Sequence, residues 1–159
     1  MENKRKFFSP ELFAENDLRA RTAFRALMEK EQLPFEVVDN PKKLGVDLLL
    51  YQDGIHTLNV ELEIKKVWKE GKFAYKDVNL PLRKKKYCDP TLIDKPTVFV
   101  MFSADTTQFL TIKGEDVIVS DVVEVNNRFV FKGEYFFKVP IEKVTFNSLG
   151  VLHEFIKKE

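Results

Sequence analysis

The segment from Asp53 to Val67 constrains the fold most, because a tight-turn signal precedes strict two-residue alternation. Asp53-Gly54 is typical of the two-residue turn of a β-hairpin. After it, apolar and polar side chains alternate in the order Leu58, Asn59, Val60, Glu61, Leu62, Glu63, Ile64, Lys65. Alternate residues of a strand lie on opposite faces. The segment therefore predicts a strand near residues 58–67, with Glu61, Glu63 and Lys65 on one face.

Helical and extended patterns follow one another along the rest of the chain. Ser9-Pro10 and an apolar stripe predict a helix at about residues 10–31, and the stripe contains Phe13, Ala20, Ala23, Phe24 and Leu27. Strands are predicted near residues 35–38, 45–51, 97–102, 107–112, 122–125, 128–131 and 134–139, with Asn126-Asn127 as a hairpin turn. Asn147 is expected to cap a final helix. This order predicts an α/β or α+β domain, with a central mixed β-sheet flanked by helices.

Length and composition predict one ordinary domain. The chain has 159 residues, of which 44% are hydrophobic, and this content excludes a disordered chain. Cys88 is the single cysteine, so a disulfide scaffold is excluded as well. No apolar run is long enough to span a bilayer, and no apolar signal segment follows the charged N-terminus. We therefore expect a cytoplasmic protein with no membrane partner.

The hairpin also places acidic residues where they can share a ligand. Asp47 opens the apolar strand before the turn, so the hairpin can bring it across from the Glu63 region, with the register left open. Magnesium takes one or two carboxylates and keeps several waters. Asp47 and Glu63 suit that role, and the main-chain carbonyl of Ile64 can add a ligand. An ammonium such as that of Lys65 can orient a metal-bound water or stabilise charge on phosphorus. Ordinary surface ion pairs on a solvent-facing strand are the alternative.

Two stretches resemble the core of the PD-(D/E)xK nuclease superfamily, which includes restriction endonucleases and Holliday-junction resolvases. They are Gly45-Val46-Asp47 and Val60-Glu61-Leu62-Glu63-Ile64-Lys65. The resemblance implies a single domain over residues 1–159, with a restriction-endonuclease-like core at about 10–102. A β-rich extension and a helix would follow at 103–159. It assigns the two acids to Asp47 and Glu63 and the lysine to Lys65. Val46 replaces the family's proline, and Glu61 is either a further metal ligand or a sign that the register is shifted by two residues.

The function implied by this resemblance is Mg²⁺- or Mn²⁺-dependent endonuclease activity on phosphodiester bonds. DNA is the favoured substrate, with branched DNA as one option, and a homodimer is implied because two strands must be cut. Many members add a glutamate from the first helix, for which Glu15 is the candidate and Glu11 and Glu29 are alternatives. The alternative function is a catalytically inactive module of the same fold that binds nucleic acid or protein. A third possibility is an α+β interaction protein with a coincidental motif.

Positive charge is concentrated directly after this motif. Residues 65–86 carry nine basic and two acidic side chains, although the net charge of the whole chain is only +1. Phosphate contacts supply much of the affinity of proteins for nucleic acids. We therefore expect a nucleic-acid-binding rim made of Lys66, Lys69, Arg83, Lys84, Lys85 and Lys86. Trp68, Tyr75 and Tyr87 are candidates for stacking on bases, although a core position is the commoner role of a tryptophan. For the lysines, a solvated face is the alternative.

Overall fold

Two β-sheets and a long N-terminal helix make up the computed structural model, which describes residues 10–125 and 133–158. The α-helices of this part are α1 (Pro10–Glu31), α2 (Gly114–Ile118) and α3 (Gly150–His153). The strands are β1 (Glu36–Asp39), β2 (Leu48–Gln52), β3 (Ile55–Lys65), β4 (Asp77–Pro81), β5 (Thr97–Ser103), β6 (Phe109–Lys113), β7 (Asp121–Val125), β8 (Glu134–Pro140) and β9 (Thr145–Phe146). Two 3-10 helices span Leu82–Tyr87 and Ile141–Lys143.

The larger sheet has six strands in the order β1-β2-β3-β5-β6-β9. The β3–β5 pair is parallel and the other pairs are antiparallel, so the sheet is mixed. A parallel pair needs a long crossover, and here that connection contains β4 and the 3-10 helix Leu82–Tyr87. The second sheet has the order β4-β8-β7. The predicted α+β class, with a central mixed sheet flanked by helices, is confirmed.

Each face of the six-stranded sheet is covered by a different layer. On one face, α1 and α3 pack against alternate residues of β2, β3 and β5, among them Leu48, Leu58 and Val100. On the other face, the three-stranded sheet, α2 and the 3-10 helix Leu82–Tyr87 pack around Phe99 and Met101 of β5. The segment after residue 102 contributes strands to both sheets, so its residues are part of the layers that support the core. None of the helices in residues 10–125 and 133–158 combines the length and apolar character that crossing a membrane requires.

The hairpin predicted at Asp53-Gly54 is present. Gln52 pairs with Ile55 across the turn, and both turn residues have positive φ, 52° at Asp53 and 77° at Gly54. Positive φ at both central positions is the geometry of a type I′ turn, which matches the twist of the flanking strands. Beyond the turn, Leu58 and Val60 face α1 while Glu61 faces the opposite layer. The predicted alternation is therefore confirmed.

Two sequence predictions about the helices differ from the structure. The buried stripe of α1 is Ala20, Phe24 and Met28, whereas Phe13 is 62% exposed, because the first turns of α1 extend beyond the core. Asn147 does not cap the last helix, since its side-chain oxygen accepts the Phe109 N–H at 3.0 Å.

The three aromatic residues predicted to stack on bases differ in their exposure to solvent. Trp68 and Tyr87 are buried in the layer around Phe99 and Met101, where they cannot stack on a base. Tyr75 is 51% exposed. The Ser9 cap, the Asn126-Asn127 turn and the strand at residues 128–131 lie outside the described residues.

Candidate active site

A cleft of about 470 Å³ opens where β2 and β3 separate. The β2 strand pairs with β3 only as far as Val60, whereas β3 continues to Lys65. One wall of this cleft is the face of α1 that carries Leu12, Phe13, Asn16, Asp17 and Ala20. The floor and the other wall carry Asp47, Glu61, Leu62, Glu63, Ile64, Lys66, Pro81, Arg83 and Lys84. The cleft therefore combines acidic residues with an apolar wall and a basic one.

A β-bulge decides which acids meet in the cleft. Next to the turn, Tyr51 pairs with His56, but Leu50 pairs with Leu58, so Thr57 is an extra residue on β3. This insertion shifts every later pair by one residue and sets Leu48 opposite Val60. Asp47 therefore comes to lie beside Glu61. The structure therefore brings Glu61, and not Glu63, directly beside Asp47. The two explanations for the extra glutamate, a further metal ligand or a motif shifted by two residues, both stay predictions.

Two hydrogen bonds hold Asp47 against β3 at Glu61 and Leu62. The Asp47 N–H donates to Glu61 Oε1 at 3.1 Å, and the Leu62 N–H donates to Asp47 Oδ2 at 2.8 Å. The Arg21 guanidinium of α1 donates to the Asp47 carbonyl at 3.1 Å and to Asp47 Oδ1 at 3.3 Å. Asp47 is thus oriented from both sides, by β3 and by α1. Such supporting contacts are what a ligating carboxylate needs to keep its orientation.

Glu61 is a buried carboxylate on β3 that is paired with Lys84 of the 3-10 helix Leu82–Tyr87. Its side chain is 6% exposed, and Lys84 Nζ donates to Glu61 Oε2. Burial, followed by the nearby charge of Asp47, raises the pKa of Glu61 from its ordinary 4.5 to about 7, although Lys84 acts in the opposite direction. Desolvation outweighs the ion pair here because the side chain is almost fully removed from water. A strongly shifted carboxylate in a cleft is typical of a functional site.

This pKa predicts that the metal-free protein loses stability as the pH rises. The folded state holds the Glu61 proton up to about pH 7, whereas the unfolded chain releases it near 4.5. Between these values the folded state binds more protons, so the free energy of unfolding falls by about 3 kcal/mol in total and then levels off. Urea unfolding in EDTA at pH 5 and pH 8 measures this effect. Glu61→Gln should remove most of the difference, and an unchanged pH dependence in that variant would contradict the assignment.

Glu63 and Lys65 lie further along the same face of β3. Glu63 lines the cleft, and its side chain is 46% exposed. Lys65 is not among the cleft residues, because its ammonium lies 3.5 Å from Glu63 Oε2 and donates to the Asn79 carbonyl of β4 at 3.3 Å. Successive residues on one face of a strand are about 7 Å apart. Glu63 therefore sits one such step beyond Glu61, and Lys65 a further step towards the second sheet.

The remaining predicted ligands are only partly brought to the cleft. Ile64, whose carbonyl is the predicted extra ligand, is a lining residue. Glu15 is exposed and does not line the cleft, because the face of α1 turned towards Asp47 repeats at helical spacing through Phe13, Asn16 and Asp17. Asp17 is the acid that α1 does supply, and it pairs with Arg21 at 2.9 Å. Its signal in the sequence is that spacing, four residues before Arg21.

The basic residues predicted to form a rim separate into two groups. Lys66, Arg83 and Lys84 line the cleft. Lys69 is exposed and outside it. The Lys85 ammonium lies 3.9 Å from the carboxylate of Asp89, just after the 3-10 helix. The Lys86 ammonium lies over the Tyr87 ring, 4.9 Å from its centroid. The 3-10 helix turns its side chains in different directions, so only part of the lysine run reaches the acids.

The donor set fits a hard divalent cation that keeps most of its water. Within residues 10–125 and 133–158, no group of three or more His, Cys, Asp or Glu side chains is close enough to form a closed metal cage. The cleft instead offers the adjacent carboxylates of Asp47 and Glu61, with Glu63 one step away. One or two carboxylates plus waters is the usual arrangement for Mg²⁺, whereas a structural Zn²⁺ site needs four ligands.

Solved structures of other proteins include chains that are similar to this one. The chain is similar to the solved structure of D212, a nuclease from a fusselovirus, with 11% sequence identity and a TM-score of 0.44. The match covers 87% of this chain and 92% of the D212 chain. The chain matches no known protein-family model, and it has no match among curated proteins.

Proposed function

We propose that this protein is a metal-dependent nuclease that hydrolyses phosphodiester bonds. The observation that carries the proposal is the contact between Asp47 and the buried Glu61 in a cleft that has one basic wall. A buried carboxylate beside a second one is costly, and a bound Mg²⁺ or Mn²⁺ would offset that cost. The residues of the PD-(D/E)xK resemblance thus support this function with one change, because Glu61 takes the place that the resemblance gives to Glu63.

The cleft residues supply the remaining parts of such a reaction. When bound, the metal would supply an activated water and neutralise charge at the phosphorus. Asp47 and Glu61 would hold it, with Glu63 nearby in the same cleft. The Leu62 N–H and Arg21 keep Asp47 in place. Lys66 and Arg83 line the same cleft, and we assign them to contacts with the phosphates of the bound strand. Such positioning, together with electrostatic stabilisation, provides most of the catalysis in phosphoryl chemistry.

Cleavage assays on a set of nucleic acids test this proposal. The set contains linear duplex, single-stranded, flapped and four-way-junction DNA together with a structured RNA, each with Mg²⁺, Mn²⁺ or EDTA. We expect cutting of DNA with either metal and none in EDTA, and the branched substrates test whether branched DNA is preferred. Cutting that continues in EDTA would contradict the metal dependence. Binding without cutting under every condition would instead support the inactive binding module.

The basic wall gives a separate prediction for affinity. Replacing Lys66 and Arg83 together with alanine should weaken binding to every sequence alike, because the two cations contact phosphates and not bases. The slope of log K against log salt should fall in magnitude by about 2, one for each lost phosphate contact. The slope is measured by fluorescence anisotropy in EDTA, where no cutting is expected.

The matched control replaces Lys30 and Lys143, two exposed lysines outside the cleft and outside the predicted rim. The control pair removes the same charge, so it should leave the slope near its parental value. An equal loss in both double variants would mean that binding depends on overall charge and not on this wall.

A further inference from the structure

The cation that the resemblance assigns to the site, Lys65, is engaged elsewhere. Its side chain is only 17% exposed, and its ammonium is shared between Glu63 and the Asn79 carbonyl of β4. Lys84 is the cation that contacts the buried acid, and its side chain is also a wall of the cleft. Lys65 lies on β3 and Lys84 on the 3-10 helix Leu82–Tyr87. The spacing of the sequence motif therefore does not indicate that Lys84 is the lysine that contacts the buried acid.

The position of Lys84 is fixed by the loop that carries Asp47. Its ammonium lies 5.4 Å from the centre of the Tyr87 ring, one turn along the same 3-10 helix. The Tyr87 hydroxyl is within hydrogen-bond distance of the carbonyls of Leu44 and Gly45, at 3.2 and 3.3 Å. The helix is thereby attached to the backbone directly before Asp47. Lys84, Asp47 and Glu61 consequently form one connected unit.

On the basis of the proposed function, we propose that Lys84 is the exchangeable cation of this site. In the metal-free protein its ammonium neutralises Glu61, in the place that a divalent cation would take. The ammonium would be repelled by a cation held by Asp47 and Glu61, since like charges at short range repel strongly in a partly buried site. Lys84 would then leave Glu61 and contact the phosphate in the same cleft, where its charge would stabilise the charge that develops during hydrolysis. Lys65 remains on Asn79 and has no part in this exchange.

Metal binding without nucleic acid provides the first measurement. Lys84→Met keeps the aliphatic stem and removes the charge, so Mn²⁺ no longer competes with an ammonium for Glu61. We expect the Mn²⁺ dissociation constant of this variant, measured by electron paramagnetic resonance at pH 8, to fall about tenfold. Lys30→Met and Lys143→Met, which remove the same charge from exposed positions outside the cleft, should leave it unchanged. An unchanged or weaker affinity in Lys84→Met, with a parental melting temperature, would overturn the proposal.

Binding and cutting of DNA provide the second measurement. With Ca²⁺ in place of Mg²⁺, added metal should strengthen DNA binding in the parent and much less in Lys84→Met. With Mg²⁺, kcat of that variant should fall by about 10²-fold with little change in KM, and Lys84→Arg should recover part of the loss. If Lys65→Met loses this activity and Lys84→Met keeps it, the proposal is overturned. If the parent cuts nothing, the proposed function fails, and the Mn²⁺ and Ca²⁺ results alone decide the role of Lys84.

Discussion

Replacing Asp47 with asparagine is expected to lower metal-dependent cleavage by at least ~10²–10³-fold, the scale for losing one preorganised charged group at a reaction centre. The substitution keeps an oxygen that can accept the Leu62 N–H but removes the negative charge beside Glu61. Metal binding should weaken in parallel, because one of two adjacent carboxylates is lost. The measurement is the single-turnover cleavage rate at saturating Mg²⁺, together with Mn²⁺ affinity.

Asp39→Asn is the matched control for this substitution. Asp39 accepts a hydrogen bond from the same Arg21 guanidinium at 2.9 Å, but its side chain is 66% exposed and it does not line the cleft. Both variants therefore remove one carboxylate from Arg21, and only one of them removes charge from the site. Full activity in Asp47→Asn, or an equal loss in both variants, would contradict the assignment of Asp47 as a metal ligand.

The largest effect on stability is expected at Phe24, which is fully buried where α1 packs on the six-stranded sheet. Phe24→Ala removes a ring from a close-packed layer and leaves a cavity, which typically costs about 3–5 kcal/mol. That is a large part of the ~5–15 kcal/mol by which a domain of this size is usually stable. Urea unfolding can be followed through Trp68, the single tryptophan, which is buried.

Phe13→Ala is the matched control for Phe24→Ala. It makes the same substitution on the same helix, so it changes helix propensity in the same way but removes no buried ring. The Phe13 side chain is 62% exposed, so its removal should change the free energy of unfolding by less than about 1 kcal/mol. Equal losses at the two positions would mean that α1 is stabilised by something other than packing on the sheet.

Local signals in the sequence predict much of this fold. The type I′ turn is encoded by Asp53-Gly54, because glycine and aspartate tolerate positive φ. The strict alternation after it identifies both the strand and the face that carries the acids. The long first helix follows from its apolar periodicity between Ala20 and Met28. Each of these features depends on neighbours within a few residues, which a single sequence displays directly.

The pairing within the candidate site depends on contacts that no local pattern displays. If the two strands paired from the turn without a bulge, Asp47 would lie opposite Val60, on the face that packs against α1. From there it could not share a ligand with Glu61. Only the extra residue at Thr57 brings Asp47 to Glu61. The ion pair between Lys84 and Glu61 joins residues 23 positions apart through the packing of a 3-10 helix. A run of four basic residues gives no sign of which member points inwards.

The most direct test of the central claim is the position of a bound Mn²⁺, located by anomalous scattering in a crystal of the parent protein. We predict one ion between the carboxylates of Asp47 and Glu61, with the Lys84 ammonium moved away from Glu61. Two results would contradict it. One is an ion bound at Glu63 without Glu61. The other is a cleft that holds no Mn²⁺ at millimolar concentration, with the Lys84–Glu61 pair intact.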